Sequence, residues 1–205
     1  MSQFSQTQAV QMTSGRKRVE TDASARGIPI EIIERPSART LEEAAAILGI
    51  SPAEIVKSLV VKRRDGTFLF ALVPGDRQIS WAKLRAVVGV NKLQLPDPAV
   101  AFEATGYERG TITPFGSTTE WPVFADDSIV GKRVSMGAGE HGYSLWVDAD
   151  HLIAGFGATV ASISDGPVGD RSVGDGLAGD GLTSDPPGSD GLTSPTPGSD
   201  RQGGG

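Results

Sequence analysis

The chain has 205 residues, 38% hydrophobic and 21% charged, with a formal net charge of −6, a length that suits one domain with tails. It has no cysteine and only two histidines, His141 and His151, which excludes disulfides, thiolate metal sites, a cysteine nucleophile and a histidine-rich metal centre. An acidic protein is not a general nucleic-acid binder held by a net positive field, so any RNA it handles must meet a local cationic patch.

Residues 1–26 are polar and aperiodic, with Arg16, Lys17, Arg18 and Arg26 against Glu20 and Asp22, and read as a disordered N-terminal segment. Met1 to Gln11 lacks the basic start and apolar stretch of a secretory leader. No apolar run approaches the roughly 20 residues of a membrane helix. A soluble cytoplasmic protein is the expectation. Ile28–Glu34 alternates as a first strand. Thr40-Leu-Glu-Glu43 is a capping box for a helix that Gly49 stops, and Ser51-Pro-Ala-Glu54 repeats the signal with proline at the first helical position. Leu59-Val60-Val61 and Phe68–Val73 flank Asp65-Gly66 as a hairpin. Ser80 opens a helix closed by Gly89, Val90–Leu95 reads as a short strand, and Asp97-Pro98 starts a helix ending at Gly106. Strands follow near Val123–Ala125, Val134–Met136 and Ser144–Val147, then a helix over Ala149–Phe156 and a strand over Thr159–Ile163. Helices and strands intermix, yet one strand pair is a plain hairpin, which favours an α+β fold with a mixed sheet.

Character changes after Asp165. Residues 166–205 hold 12 glycines, five prolines and no aromatic residue, too little apolar surface to offset chain entropy of roughly 1–2 kcal/mol per residue. An imperfect repeat, Gly179-Asp-Gly-Leu-Thr-Ser184 and Ser189-Asp-Gly-Leu-Thr-Ser194, has the wrong spacing for a calcium-binding nonapeptide, and its prolines break a β-helix. A disordered Gly/Pro/Ser/Asp-rich tail is expected, leaving residues 27–165 as the folded domain. Eleven of the twelve aromatic residues fall there.

Gly137-Ala-Gly-Glu-His-Gly142 fits G-x-G-x-x-G, but a dinucleotide site needs a helix next and Tyr143-Ser-Leu-Trp-Val147 reads as a strand. A glycine turn allowing close approach fits better. Gly131-Lys132 lacks the earlier glycine of a P-loop, and no Gly-x-Ser-x-Gly elbow exists. Gly106-Tyr-Glu-Arg-Gly110-Thr-Ile-Thr-Pro114-Phe-Gly116 is either an ordinary connection or a rigid wall offering backbone N–H groups to a ligand. Lys57 stands among Ile55, Val56, Leu59, Val60 and Val61. It either snorkels to water or is held at a pocket rim to orient an anionic or carbonyl ligand.

Taken together, these residues resemble the YbaK family of bacterial aminoacyl-tRNA deacylases, related to the editing domain inserted in prolyl-tRNA synthetase. The resemblance runs from Ile28 to Asp165. It rests on Ile55-Val-Lys57-Ser-Leu-Val-Val-Lys62, on the Gly106 to Gly116 loop as a G-x-x-x-P signature, and on Gly137-Ala-Gly139 ahead of a strand and Asp148-Ala-Asp150. Thr111 departs from it, since many members have a second glycine there, which bears on pocket size. The resemblance implies an α+β fold of the prolyl-tRNA synthetase-associated-domain type, a twisted mixed sheet surrounded by helices. It implies free-standing trans-editing of mischarged tRNA, with cysteinyl- or alanyl-tRNA(Pro) as candidate substrates, and no metal or other cofactor.

On that footing Lys57 anchors the terminal adenosine or ester, and the N–H groups of Gly110 and Thr111 polarise the carbonyl. Pro114, Phe115 and Gly116 wall the side-chain pocket, with Gly137, Ala138 and Gly139 opposite. His141 either assists proton transfer or is a plain turn histidine. Water attacks unless the substrate supplies its own nucleophile, and pocket size acts as the second sieve. Lys62, Arg63 and Arg64 at the hairpin tip are the candidate tRNA contacts, and an aminoacyl-tRNA synthetase is a candidate partner. The competing class is a non-catalytic module of the same fold that binds aminoacyl or peptide ends.

Overall fold

The structure, a computed structural model, describes residues 14–167. The expected tail and its repeat lie outside the described residues, apart from Gly166 and Pro167. In chain order the elements begin α1 (Gly15–Ala25), β1 (Ile30–Glu34), α2 (Leu41–Leu48), a 3-10 turn (Pro52–Glu54), β2 (Val56–Arg63) and β3 (Phe68–Pro74). Next come β4 (Gln78–Ile79), α3 (Trp81–Val88), β5 (Leu93–Gln94), α4 (Pro98–Thr105) and β6 (Val123–Asp126). A second 3-10 turn (Asp127–Ile129) leads to β7 (Arg133–Gly137), β8 (Tyr143–Asp148), α5 (Ala149–Phe156), β9 (Thr159–Ala161) and β10 (Ser164–Asp165). No helix among the described residues is long and apolar enough to cross a membrane.

The expected mixed sheet is present as a five-stranded unit ordered β5-β2-β3-β6-β9, with β2 antiparallel to β3 and β5 while β3, β6 and β9 run parallel. A separate antiparallel sheet, β1-β8-β7, meets it at one parallel bridge between Ile55 and Ser135. The α+β class therefore holds, with two sheets in place of one and a small β4–β10 pair beside them. Phe70, Leu72 and Val123 face Val134, Met136 and Leu145 in the core between the sheets. On the other face of β3, Leu69, Ala71 and Val73 pack with Leu84 of α3. Burial on both faces explains why Phe68–Val73 is an unbroken apolar run rather than an alternating one.

Residues 15–25 correct the reading of residues 1–26 as disordered. The Ser14 hydroxyl accepts the Lys17 N–H at 3.3 Å as an N-cap, and Val19 and Ala23, one turn apart, are fully buried. Two small apolar residues among polar ones give almost no periodic signal. The helix is held by tertiary contacts instead: Arg18 lies 4.3 Å over the Tyr107 ring, and Asp22 accepts the Gly116 N–H at 2.9 Å. Deleting residues 1–26 is expected to cost at least about 3 kcal/mol through lost apolar burial and an orphaned amide. A denaturant titration of the truncated protein checks this, and an unchanged midpoint would show that the helix adds nothing.

Candidate active site

β2 pairs with β5 only through Lys62 and Arg63. Among the described residues, its edge from Val56 to Val61 away from β3 therefore has no strand partner. The two sheets diverge from the Ile55–Ser135 bridge, and the space between them is a cavity of about 590 Å³ along that free edge. Such a volume lies within the range of small-molecule clefts, roughly 300–1,000 Å³. Ala44, Leu48 and Met136 give it apolar surface, and Ser58 adds an enclosed hydroxyl with no hydrogen-bond partner among the described residues.

Lys57 borders this cavity and a second one of about 540 Å³ beside Asp76. Its ammonium donates to the Gly75 carbonyl at 3.1 Å and to the Arg77 carbonyl. An ammonium has three donors, so one N–H remains for a ligand. Burial lowers the Lys57 pKa below the usual lysine value, and the carboxylates of Asp76 and Glu42 oppose that shift. Gly75 has to be glycine for this grip: a Cβ there would stand 2.4 Å from the Pro52 carbonyl oxygen and 2.6 Å from Leu41.

The glycine loop and the glycine turn are locked together across the cavity wall. Gly139 donates its N–H to the Thr111 carbonyl at 2.9 Å. A Cβ at Gly137 would lie 2.5 Å from the Ile112 carbonyl oxygen. From behind, burial pushes the Tyr107 hydroxyl pKa up to about 12, keeping it a donor to the Phe115 carbonyl at 2.8 Å.

Lys57, Gly110 and Gly137 thus line one cavity. The other expected site residues do not line it. Thr111 is buried, and its N–H is committed to the Glu108 carbonyl at 3.0 Å. Pro114 and Phe115 are buried, with Phe115 edge-on to Phe156 at 4.9 Å, and Gly116 faces α1. Ala138 is in the core, and Gly139 abuts Gly15. His141 is exposed and pairs with Glu108 at 3.0 Å. These residues support the wall rather than forming its inner surface.

Arg35, Arg39 and Arg109 also line the cavity and escaped the sequence reading. Arg35 and Arg39 flank the β1–α2 connection, far in sequence from Lys57, and no local motif marks them. Together with Lys57 they give four cations, and the described lining holds no aspartate, glutamate or histidine. None of the four makes an ion pair among the described residues. A cavity so built can hold an anionic ligand and stabilise developing negative charge, and its described lining offers no carboxylate or imidazole as a general base.

The sequence pattern of the aminoacyl-tRNA editing domain matches residues 35–154, more than half of the chain and both walls of the cavity. The chain belongs to the aminoacyl-tRNA editing domain family. Among curated relatives of this editing domain, the proline–tRNA ligase of Thermotoga neapolitana is 34% identical over 123 residues, covering 60% of this chain and 21% of the ligase. That of Bacillus licheniformis is 34% identical over 112 residues, covering 54% and 19%. The chain spans about a fifth of the length of these relatives. A solved structure described as a candidate trans-editing enzyme for prolyl tRNA synthetase superimposes with a TM-score of 0.69 at 29% identity, covering 76% of this chain and 99% of that one.

Proposed function

We propose that this editing domain hydrolyses, in trans, the ester joining a wrong amino acid to tRNA, within the cavity bounded by Lys57, Gly110 and Gly137. The observation that carries the reading is the pairing of one partly desolvated ammonium with three arginines in a cleft walled by Gly110 and Gly137, whose described lining holds no acid. The third Lys57 N–H meets the ester region, and the Gly110 N–H, which makes no hydrogen bond among the described residues, is the second donor to the carbonyl oxygen as charge develops there. Water adds to the carbonyl carbon, the bond to the ribose oxygen breaks, and that oxygen leaves with a proton from the attacking water. An aminoacyl ester is activated enough for positioning and charge stabilisation to suffice. The apolar surface of Ala44, Leu48 and Met136 suits a small uncharged side chain such as alanine or cysteine, and size sets the sieve. The ligase relatives support a prolyl-tRNA synthetase as the enzyme whose errors are cleared.

The test is the full chain against alanyl-, cysteinyl- and prolyl-tRNA(Pro). We expect turnover of at least one mischarged species and sparing of the prolyl ester. Absence of any deacylation above the spontaneous rate overturns the reading. One observation favours a non-catalytic module instead, the lack of an aspartate, glutamate or histidine on the described cavity wall, and saturable binding without turnover on the same panel is its signature.

A further inference from the structure

We propose that the unpaired 3′ end of the RNA is gripped at the cavity mouth by Arg35, Arg39 and Arg109 against an apolar lip of Leu95, Pro96 and Pro98. This rests on the reading of aminoacyl-tRNA as the substrate and assigns the place where its last phosphates and bases sit. In a chain of net charge −6, three arginines without an ion pair around one opening form a local anion site. Guanidinium groups match phosphate oxygens in a planar fork. Arg35 is fixed by its own hydrogen bonds, Nε to Ser144 Oγ at 2.7 Å and one terminal nitrogen to the Pro36 carbonyl at 2.9 Å, and keeps further donors free. Arg39 and Arg109 are exposed. Leu95, 52% exposed, and the two prolines line the same cavity and present rigid apolar surface on which splayed bases can lie.

The hairpin adjoins this lip on one side: Lys62 and Arg63 pair with Gln94 and Leu93, and Leu95 follows directly. Lys57 and Arg63 are six positions apart on β2, a span of about 20 Å, and the Lys62 ammonium sits 6.0 Å over the Phe68 ring. The hairpin cations therefore lie within reach of both the paired and the unpaired parts of the RNA, whereas the three arginines line the cavity that takes the unpaired end.

The experiment measures binding of uncharged RNA hairpins, with and without an unpaired 3′ extension, to the full chain by fluorescence anisotropy across a salt series. The Arg39→Gln/Arg109→Gln variant is expected to weaken binding of the extended hairpin about tenfold. It should flatten the salt slope by about 1.4, roughly 0.7 for each single-strand phosphate that is no longer neutralised, and leave the blunt hairpin within about twofold. Lys62→Gln/Arg63→Gln/Arg64→Gln should weaken both RNAs. Equal weakening on both hairpins for the arginine pair, or no weakening on either, overturns the assignment. Because the RNA is uncharged, ester hydrolysis can fail while this result stands, and the reverse holds too.

Discussion

Replacing Lys57 with alanine is expected to lower the deacylation rate of a mischarged tRNA by about a hundredfold, the scale of losing one preorganised donor to a developing oxyanion. The structure gives the reason in two parts. The Gly75 and Arg77 carbonyls hold the ammonium, so it does not have to be ordered when the ester arrives. Partial burial strengthens its interaction with charge that appears in the transition state. Lys57→Arg should not restore the rate, since a planar guanidinium cannot replace a compact ammonium seated between two carbonyls. The pH profile separates a charge role from a packing role. Burial lowers the Lys57 pKa, against the pull of Asp76 and Glu42, so the positive charge is lost on raising pH before the ordinary lysine range is reached. With no titrating base on the described wall, the wild-type rate should climb with hydroxide and then level off as Lys57 deprotonates, whereas Lys57→Ala should keep climbing. Parallel profiles for the two proteins would remove the ammonium from the chemistry.

The parts of this arrangement that were legible in the sequence are those encoded by local chemistry. Thr40, through its side-chain oxygen, caps α2, and Ser51 with Glu54 forms the capping box of the 3-10 turn. Gly49, Gly89, Gly106 and Gly157 close helices in the left-handed conformation that glycine adopts without strain. Asp65-Gly66 turns the hairpin, and Lys57 stands out because a cation among branched apolar residues has few cheap places to go. The site's inner surface was less legible because it is built from non-local neighbours. Nothing near Arg35 or Arg109 reveals that β1, α2 and the glycine loop converge on the free edge of β2. The same limit misplaced Pro114 and Phe115: their residue types suit a pocket wall, but α1, itself nearly silent in sequence, supports that side of the loop. Thr111 carried a backbone N–H that looked available until the Glu108 carbonyl was seen to accept it.

Gly137→Ala is expected to cost about 3 kcal/mol of stability and, in the fraction that still folds, about a hundredfold in kcat/KM. Gly137 ends β7 opposite Ser144, and its backbone conformation is one that alanine can adopt, so the penalty is steric. The added Cβ would lie 2.5 Å from the Ile112 oxygen and 2.6 Å from the Thr111 carbonyl carbon and oxygen. Those are backbone atoms with no rotamer to change, so relief requires the loop to retreat, which is the costly form of overpacking. Retreat stretches the Gly139 to Thr111 hydrogen bond and carries Gly110 away from Lys57. A displacement near 1 Å at a positioned donor suffices for about a hundredfold loss. Gly166→Ala, where a Cβ meets nothing within 4 Å, serves as the matched control and should behave as wild type. Measuring kcat/KM well below the melting temperature keeps the two effects apart. A lowered melting temperature with full activity would mean that the loop is braced for stability alone, and full retention of both would show that the turn and loop are not packed as the structure has them.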